Sequence, residues 1–275
     1  MRYAIIESMR PISDYHMHTP LCGHAVGQPQ EYVEHAIKMG LREIGFSDHA
    51  PMVHEPMPEV TMAFDELPLY QAMIEDVQKR FSPQITIKVA LEADFIPGFE
   101  AKTKAIIDGY PYDYIIGSVH FIDDWAFDDP ATREYWKVHN VNTVYRKYYA
   151  LLRESAKTGF FQIIGHPDLP KKFGARATED MTDEVQATAK VFKDTGVAIE
   201  INTAGLRKPI AEMYPAIDCL KIYRQAGVPL SFGSDAHAPH DVGKDFDKAF
   251  DLAKAAGYTE HLIFKQRNVE RKVPL

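Results

Sequence analysis

The chain has 275 residues, 45% of them hydrophobic and 25% charged. That is the balance of a globular protein able to bury a core of ordinary size. A formal net charge of −8 excludes a generally basic, nucleic-acid-coating surface. No apolar run approaches the roughly 18 residues that cross a bilayer, and two cysteines, Cys22 and Cys219, are too few for a disulfide scaffold.

The opening segment, Met1–Arg10, carries Glu7 and lacks the apolar stretch and small-residue cleavage site of a signal peptide, so a cytoplasmic location is expected. Without a low-complexity stretch or an internal repeat, residues 1–275 read as a single domain. Ile12–His16 is expected as the first strand. A helix follows over Glu31–Met39, where Tyr32, Val33, Ala36 and Ile37 fall at helical spacing before Gly40. Glu43–Ser47 is the second strand, Leu67–Phe81 a helix and Ile85–Leu91 the third strand. Phe99–Asp108 is helical and Tyr114–Ser118 is the fourth strand. A long helical region spans Arg133–Thr158, ahead of a fifth strand at Phe160–Gly165. Then come helix Thr182–Thr195, strand Val197–Ile201, helix Ala216–Ala226, strand Pro229–Gly233 and helix Phe246–Ala256, with His261–Phe264 as a short final strand.

Strand-then-helix repeated seven times implies parallel strands with helical crossovers. An open doubly wound sheet binds its ligand at one switch point, whereas a closed barrel gathers every strand end on one face. Here nearly every strand ends in side chains that can hold a metal, and no G-x-G-x-x-G follows the first strand. The expected fold is therefore α/β: a TIM-like (β/α)7 barrel.

The strand-end clusters are His16-Met17-His18, His24 in the next loop, Asp48-His49, Glu92, Gly117-Ser118-Val119-His120, Gly165-His166 and Gly233-Ser234-Asp235-Ala236-His237. His16 and His18 are two apart, as are Asp235 and His237, so on a strand each pair points one way. Imidazole is a common ligand for transition metals. A carboxylate such as Glu92, directly after an apolar run, is costly unless a cation or donor meets it, and it can bridge two metals. The bland alternatives are surface histidines and a salt-bridged rim glutamate. So many imidazoles packed without a cation would bury unpaired polar groups at a few kcal/mol each. Together these residues suffice for three divalent ions, which points to a multinuclear metal hydrolase. Cys22 is close to this set: it could line the site, and the favoured reading is a buried structural thiol. His35, His54, His139, His240 and His261 lack strand-end context, although His240 is near enough in sequence to line the rim.

In this order, the motifs resemble the polymerase-and-histidinol-phosphatase (PHP) family. The segments 14–51, 91–97 (LEADFIP), 165–174 (GHPDLPKKFG) and 202–209 (NTAGLRKP) are similar to its bacterial histidinol-phosphate phosphatases. The resemblance implies a distorted (β/α)7 barrel with three metal positions. The first would use His16, His18, Glu92 and Asp235; the second would share Glu92 and add His120 and His166; the third would take His24, His49 and His237. Asp48 would orient a neighbouring imidazole. A ligand set of imidazoles and carboxylates suits Zn, Fe or Mn.

The function implied is hydrolysis of L-histidinol phosphate, a small phosphomonoester, to L-histidinol and phosphate in histidine biosynthesis. A hydroxide held between two metals would attack phosphorus in line with the leaving alcohol. Glu92, Asp235 and His237 are the expected catalytic residues, with Asp235 or a histidine near the third metal managing the alkoxide proton. Arg207 follows the sixth strand, whose end carries no ligand, and its planar fork suits a phosphate clamp; an ordinary surface arginine is the alternative. Lys171 and Lys172 are weaker candidates for the same contact, and Asp94 or Glu100 for the substrate amine. The rival readings are a PHP-type phosphoesterase acting on another phosphomonoester or on oligonucleotides, an amidohydrolase and a non-catalytic metal scaffold. The acidic charge disfavours nucleic acid, and His120 stands where an amidohydrolase usually carries a lysine.

Overall fold

In a computed structural model of the chain, residues 13–275 are described. Ile12, at the start of the expected first strand, and the segment Met1–Arg10 lie outside them. In chain order, the elements are α1 (Pro29–Met39), β1 (Glu43–Phe46), α2 (Leu67–Phe81), β2 (Thr86–Asp94), α3 (Glu100–Asp108), β3 (Tyr114–Ser118), β4 (Phe121–Ile122), β5 (Trp125–Ala126), α4 (Val141–Lys157), β6 (Ile163–Ile164), α5 (Thr182–Thr195), β7 (Ala198–Asn202), α6 (Ile217–Ala226), β8 (Leu230–Gly233), α7 (Phe246–Ala255), β9 (Glu260–Lys265) and β10 (Asn268–Pro274).

Six strands form one parallel sheet in the order β1-β2-β3-β6-β7-β8. Registers such as Glu43↔Thr86, Ala90↔Tyr114, Ile116↔Ile163 and Ile199↔Leu230 tie them together. The segment Asp14–His18 closes the curl. It bridges Ile44 through Asp14 on one side and Ala236 through Met17 on the other. Tyr15 N donates to Phe232 O at 3.0 Å, His18 N to Ala236 O at 2.9 Å and Ser47 N to Met17 O at 3.0 Å. The result is a TIM-like barrel with seven staves, the first irregular and β6 only two residues long.

Outside the sheet, Ile44, Phe46, Leu91, Ile199 and Phe232 pack with helix residues such as Tyr70, Leu152, Phe192 and Tyr223. Inside, Tyr15, Ala90, Tyr114, Ile116, Ile163 and Ala198 form a second cluster with Leu262, Ile263 and Phe264 of β9. Tyr15 stacks on Tyr114 with ring centroids 4.6 Å apart. Tyr114 also donates to Tyr15 O at 2.6 Å. Gly45 makes this approach feasible, because a Cβ there would stand 2.0 Å from the Tyr114 hydroxyl. The β9–β10 hairpin thus floors the barrel, leaving the opposite mouth for the strand-end side chains.

Three expectations change. The helical region 133–158 is broken: a 3-10 stretch over Pro130–Lys137 precedes α4, and Asn140 caps α4 by accepting from Thr143 N at 3.0 Å. α1 begins earlier than expected, with Pro29 in its first turn and Glu31 accepting from Gln28 N at 2.6 Å. His261–Phe264 is part of a longer strand that pairs antiparallel with β10, outside the barrel staves. Among the described residues no helix is long and apolar enough to cross a membrane.

Candidate metal centre

The staves place all nine expected ligands around one mouth. His16 and His18 come from the first stave, His49 follows β1, Glu92 lies within β2, His120 follows β3, His166 follows β6, and Asp235 and His237 follow β8. His24 reaches in from the loop before α1. The ligand atoms of His16, His18 and Asp235 lie within 4.8 Å of one another; so do those of Glu92, His120 and His166, and those of His24, His49 and His237. His18, His49 and Glu92 form a fourth such group, which links the others.

Glu92 is at the centre and is 2% exposed. Its Oε2 is 3.0 Å from His16 Nε2, 3.2 Å from His49 Nδ1 and 3.7 Å from His18 Nε2. Its Oε1 is 3.1 Å from His166 Nε2 and 3.7 Å from His120 Nε2, and accepts from Ser118 Oγ at 2.5 Å. Asp235 Oδ1 is 3.3 Å from both His18 Nε2 and His237 Nδ1. Asp235 and His166 reach inward from left-handed backbone, with φ of 52° and 27°. Such positions cost on the order of 1–3 kcal/mol and occur where surrounding contacts enforce them.

Behind the ligands stands a layer of acceptors. His16 Nδ1 is 2.7 Å from Glu200 Oε1, His120 Nδ1 is 3.0 Å from Asp94 Oδ1, and His18 Nδ1 is 3.4 Å from Asp48 Oδ1. His24 Nδ1 and His237 Nδ1 meet the carbonyls of Cys22 and Asp235 at 2.9 and 3.1 Å. A carboxylate or carbonyl only accepts, so in the neutral rings Nδ1 carries the proton and Nε2 offers its lone pair. His16 Nε2 and His18 Nε2 are buried without a hydrogen-bond partner despite the carboxylates nearby. Orphaned buried nitrogens of this kind fit a cation in the space they face.

The electrostatics divide the site. Burial acts to lower the His16 imidazole, but Glu200, Glu92 and Asp235 outweigh it and hold its pKa well above the ordinary value. His18, opposed by burial but bonded to Asp235 and Asp48, is raised to about 8, and His120, opposed by burial but facing Asp94 and Asp128, to about 10. The inner cluster thus favours positive charge. His49 and His237 are pushed well below the ordinary value by burial and neighbouring histidines, and His24 is lowered by burial and His18. Neutral imidazoles are ready ligands. Burial works against the charged forms of Glu92 and Asp235, yet His16 and its neighbours hold both carboxyls well below the usual range.

The cluster opens into a cavity of about 690 Å³, lined among others by Phe121, Asp128, Lys172, Arg207, Lys208 and Tyr214. Arg207 Nη2 donates to Ser234 O at 2.7 Å and Asp235 O at 3.3 Å, and Nε is 3.5 Å from Asp241 Oδ2. Its Nη1 is buried with no partner. Lys172 reaches the same cavity, paired with Asp128 at 2.9 Å. Burial and the repulsion of Lys172 and Arg207 lower the Lys208 pKa.

Lys171 does not belong to this wall. It is 2% exposed and held behind the site by Asp168 Oδ2 at 2.7 Å, Met213 O at 2.7 Å and Glu212 Oε2 at 3.1 Å. Its donors are spent on its own scaffold, so the expected phosphate contact is corrected. Asp94 lines the cavity but is engaged by His120, while Glu100 accepts from Gly98 N at 3.1 Å at the start of α3, away from the cavity. Cys22 is buried, its sulfur within 4.8 Å of ligand atoms of His18 and His237, and burial beside Asp48 pushes its thiol up to about 12.

Sequence reading passed over Glu200 and Lys208. Lys208 follows Arg207 directly and had no signal beyond its neighbour. Glu200 had one: an acidic residue inside the otherwise apolar strand Ala198–Asn202.

The PHP domain family matches residues 14–204. The chain is 40% identical over 263 residues to a probable histidinol-phosphatase of Deinococcus radiodurans, covering 95% of this chain and 100% of that one. It is 31% identical over 258 residues to the histidinol-phosphatase of Bacillus subtilis, covering 85% and 96%. Its fold is similar to the crystal structure of histidinol phosphate phosphatase from Lactococcus lactis complexed with zinc, L-histidinol and phosphate, with a TM-score of 0.82, 25% identity and coverage of 94% and 99%. The chain belongs to the PHP domain family.

Proposed function

We propose that the protein is a metal-dependent histidinol-phosphatase, a phosphoric monoester hydrolase that converts L-histidinol phosphate to L-histidinol and phosphate. The observation that carries this reading is the convergence of eight further metal-capable side chains on Glu92 and its neighbours, beside a cavity wall that includes Lys172, Arg207 and Lys208. The relatives supply the substrate class, since their names and the zinc–histidinol–phosphate complex point the same way.

Three divalent ions, Zn, Fe or Mn, are the proposed cofactors. His16, His18, Glu92 and Asp235 would hold the first, Glu92, His120 and His166 the second, and His24, His49 and His237 the third. Such ions lower the pKa of bound water and neutralise phosphoryl charge. The protein's own part is positioning. Glu92 and the imidazoles fix the centre, and Arg207 Nη1 is the donor left for a phosphoryl oxygen, with Lys208 and Lys172 adding positive charge. Asp235 and His237 line the same cavity, and this pair would orient the water that gives its proton to the departing alkoxide. We take residues 1–275 as one domain; what supports this is that β8 and the β9–β10 hairpin, both beyond residue 204, join the barrel sheet and its floor among the described residues.

The test is phosphate release from L-histidinol phosphate by protein loaded with Zn or Mn, compared with chelator-stripped protein. Turnover that depends on the metal supports the reading; equal rates with and without metal contradict it.

A further inference from the structure

We propose that Glu200 is the positioning residue of this centre: one buried carboxylate, beneath the ligands, that locks three ligand-bearing strand ends into one geometry. The proposal rests on the metal-centre reading above and adds a residue that contributes no ligand atom to it.

Glu200 lies within β7, the one stave whose end supplies no ligand. Successive side chains of a strand alternate between faces, so Ala198, Glu200 and Asn202 share the interior face. Ala198 belongs to the floor cluster, which puts Glu200 one layer above the floor and one below the mouth. It is 1% exposed. Its two oxygens meet three partners. Oε1 is 2.7 Å from His16 Nδ1. Oε2 accepts from His166 N at 3.0 Å and from Asn202 Nδ2 at 3.1 Å. Asn202 Nδ2 also reaches Asp235 Oδ2 at 3.3 Å. One side chain thus orients His16, holds the backbone of His166 where φ is 27°, and steadies Asp235 through Asn202.

Two glycines of the ligand motifs fit around this carboxylate. A Cβ at Gly233 would stand 1.8 Å from Glu200 Oε1, and one at Gly165 would lie 3.7 Å from Oε2 and 2.6 Å from Ser118 Oγ. Neither glycine has a left-handed φ. In the Gly233-Ser234-Asp235-Ala236-His237 cluster the glycine is therefore there for close approach, leaving the volume that Glu200 occupies.

The chemical consequence is at His16. Accepting from Nδ1–H, Glu200 fixes the tautomer that leaves Nε2 free, and Nε2 is buried without a hydrogen-bond partner. Partners of this kind raise ligand basicity and typically change metal affinity by about 10–100-fold when removed.

The experiment titrates Zn into chelator-stripped wild-type, Glu200→Gln and Glu200→Ala proteins against a chromophoric chelator. Circular dichroism and thermal melts of the metal-free forms check folding. Glutamine keeps an acceptor for His16 Nδ1–H; alanine does not. The expected order of Zn affinity is wild type, then Gln, then Ala, with at least one binding step weakened about 10–100-fold in Ala. Turnover by the Zn-loaded forms should follow the same order, with kcat falling and KM for the phosphomonoester changing much less. Wild-type Zn affinity at every step in a folded Glu200→Ala protein would overturn the proposal. So would a raised KM at unchanged kcat. Should Glu200→Ala fail to fold, Glu200→Gln decides alone: a lowered melting temperature with unchanged Zn affinity makes the residue structural and overturns the proposal. Because the Zn titration needs no substrate, an inactive wild type would count against the phosphatase reading and not against this one.

Discussion

Glu92 Oε2 and His16 Nε2 stand 3.0 Å apart across the barrel mouth, both fully buried, yet His16 Nε2 has no hydrogen-bond partner. Carboxylate and imidazole lone pairs directed at one space define what that space holds. Glu92→Gln keeps the volume and removes the charge, and its Nε2–H₂ would donate into the position of a cation. The variant should stay folded and lose turnover by about 10²–10³-fold, the range for removing one fixed electrostatic contact to a developing charge. Steady-state kinetics with a metal assay check this; loss of rate without any change in metal content or affinity would move Glu92 out of the ligand set.

Arg207 and Lys171 are predicted to differ in kind. Arg207→Ala removes a cationic side chain from the cavity lining and should lower kcat/KM by about 10–100-fold, as befits a charge-assisted contact worth about 1.5–3 kcal/mol. Lys171→Met should leave kinetics of the folded protein nearly intact. Its cost is stability, about 3–5 kcal/mol, because Asp168 loses its buried partner. Urea unfolding and kinetics on both variants separate the two roles.

Much of the candidate site was legible in the sequence because metal-capable side chains at strand ends are local signals: His-x-His, Asp-x-His and a carboxylate after an apolar run are read from neighbouring residues. Glu200 was missed because its partners, His16 and His166, are 184 and 34 positions away, and a lone acid in an apolar strand does not name them. The misplacement of Lys171 has the same origin. A lysine after a strand end looks free until the fold brings Asp168, Met213 and Glu212 around it. Among the fold elements, β10 gave no pattern, since Asn268–Pro274 is largely exposed and charged. Its turn places Gln266 and Arg267 at φ of 49° and 61° without the glycine that marks such hairpins.

Stability should depend on pH through His261. It is 1% exposed, and burial with Arg271 nearby lowers its pKa to about 4. In the unfolded chain it titrates near about 6.5. The folded value is the lower one, so the unfolded state binds more protons between these limits. The stabilising contribution is complete above about pH 6.5 and is lost as pH falls towards 4, roughly 3 kcal/mol in all. In chelator-stripped protein, the drop in unfolding free energy between pH 7 and pH 4.5 should be smaller for His261→Phe than for wild type. Equal drops would contradict it.

Chelation should lower stability as well as rate. An ion bound only by the folded chain at 100 times its Kd stabilises by about 2.7 kcal/mol. The melting temperature should therefore fall on stripping and return on adding Zn or Mn. A melting temperature indifferent to metal would mean that the nine side chains hold no ion tightly.

The most direct measurement pairs metal stoichiometry with phosphate release from L-histidinol phosphate on the same preparation. Rates should rise as Zn or Mn is restored to stripped protein and level off at three ions per chain, with L-histidinol and phosphate formed in equal amounts. Full metal loading without phosphate release above the uncatalysed rate would contradict the assignment of this centre to histidinol-phosphate hydrolysis.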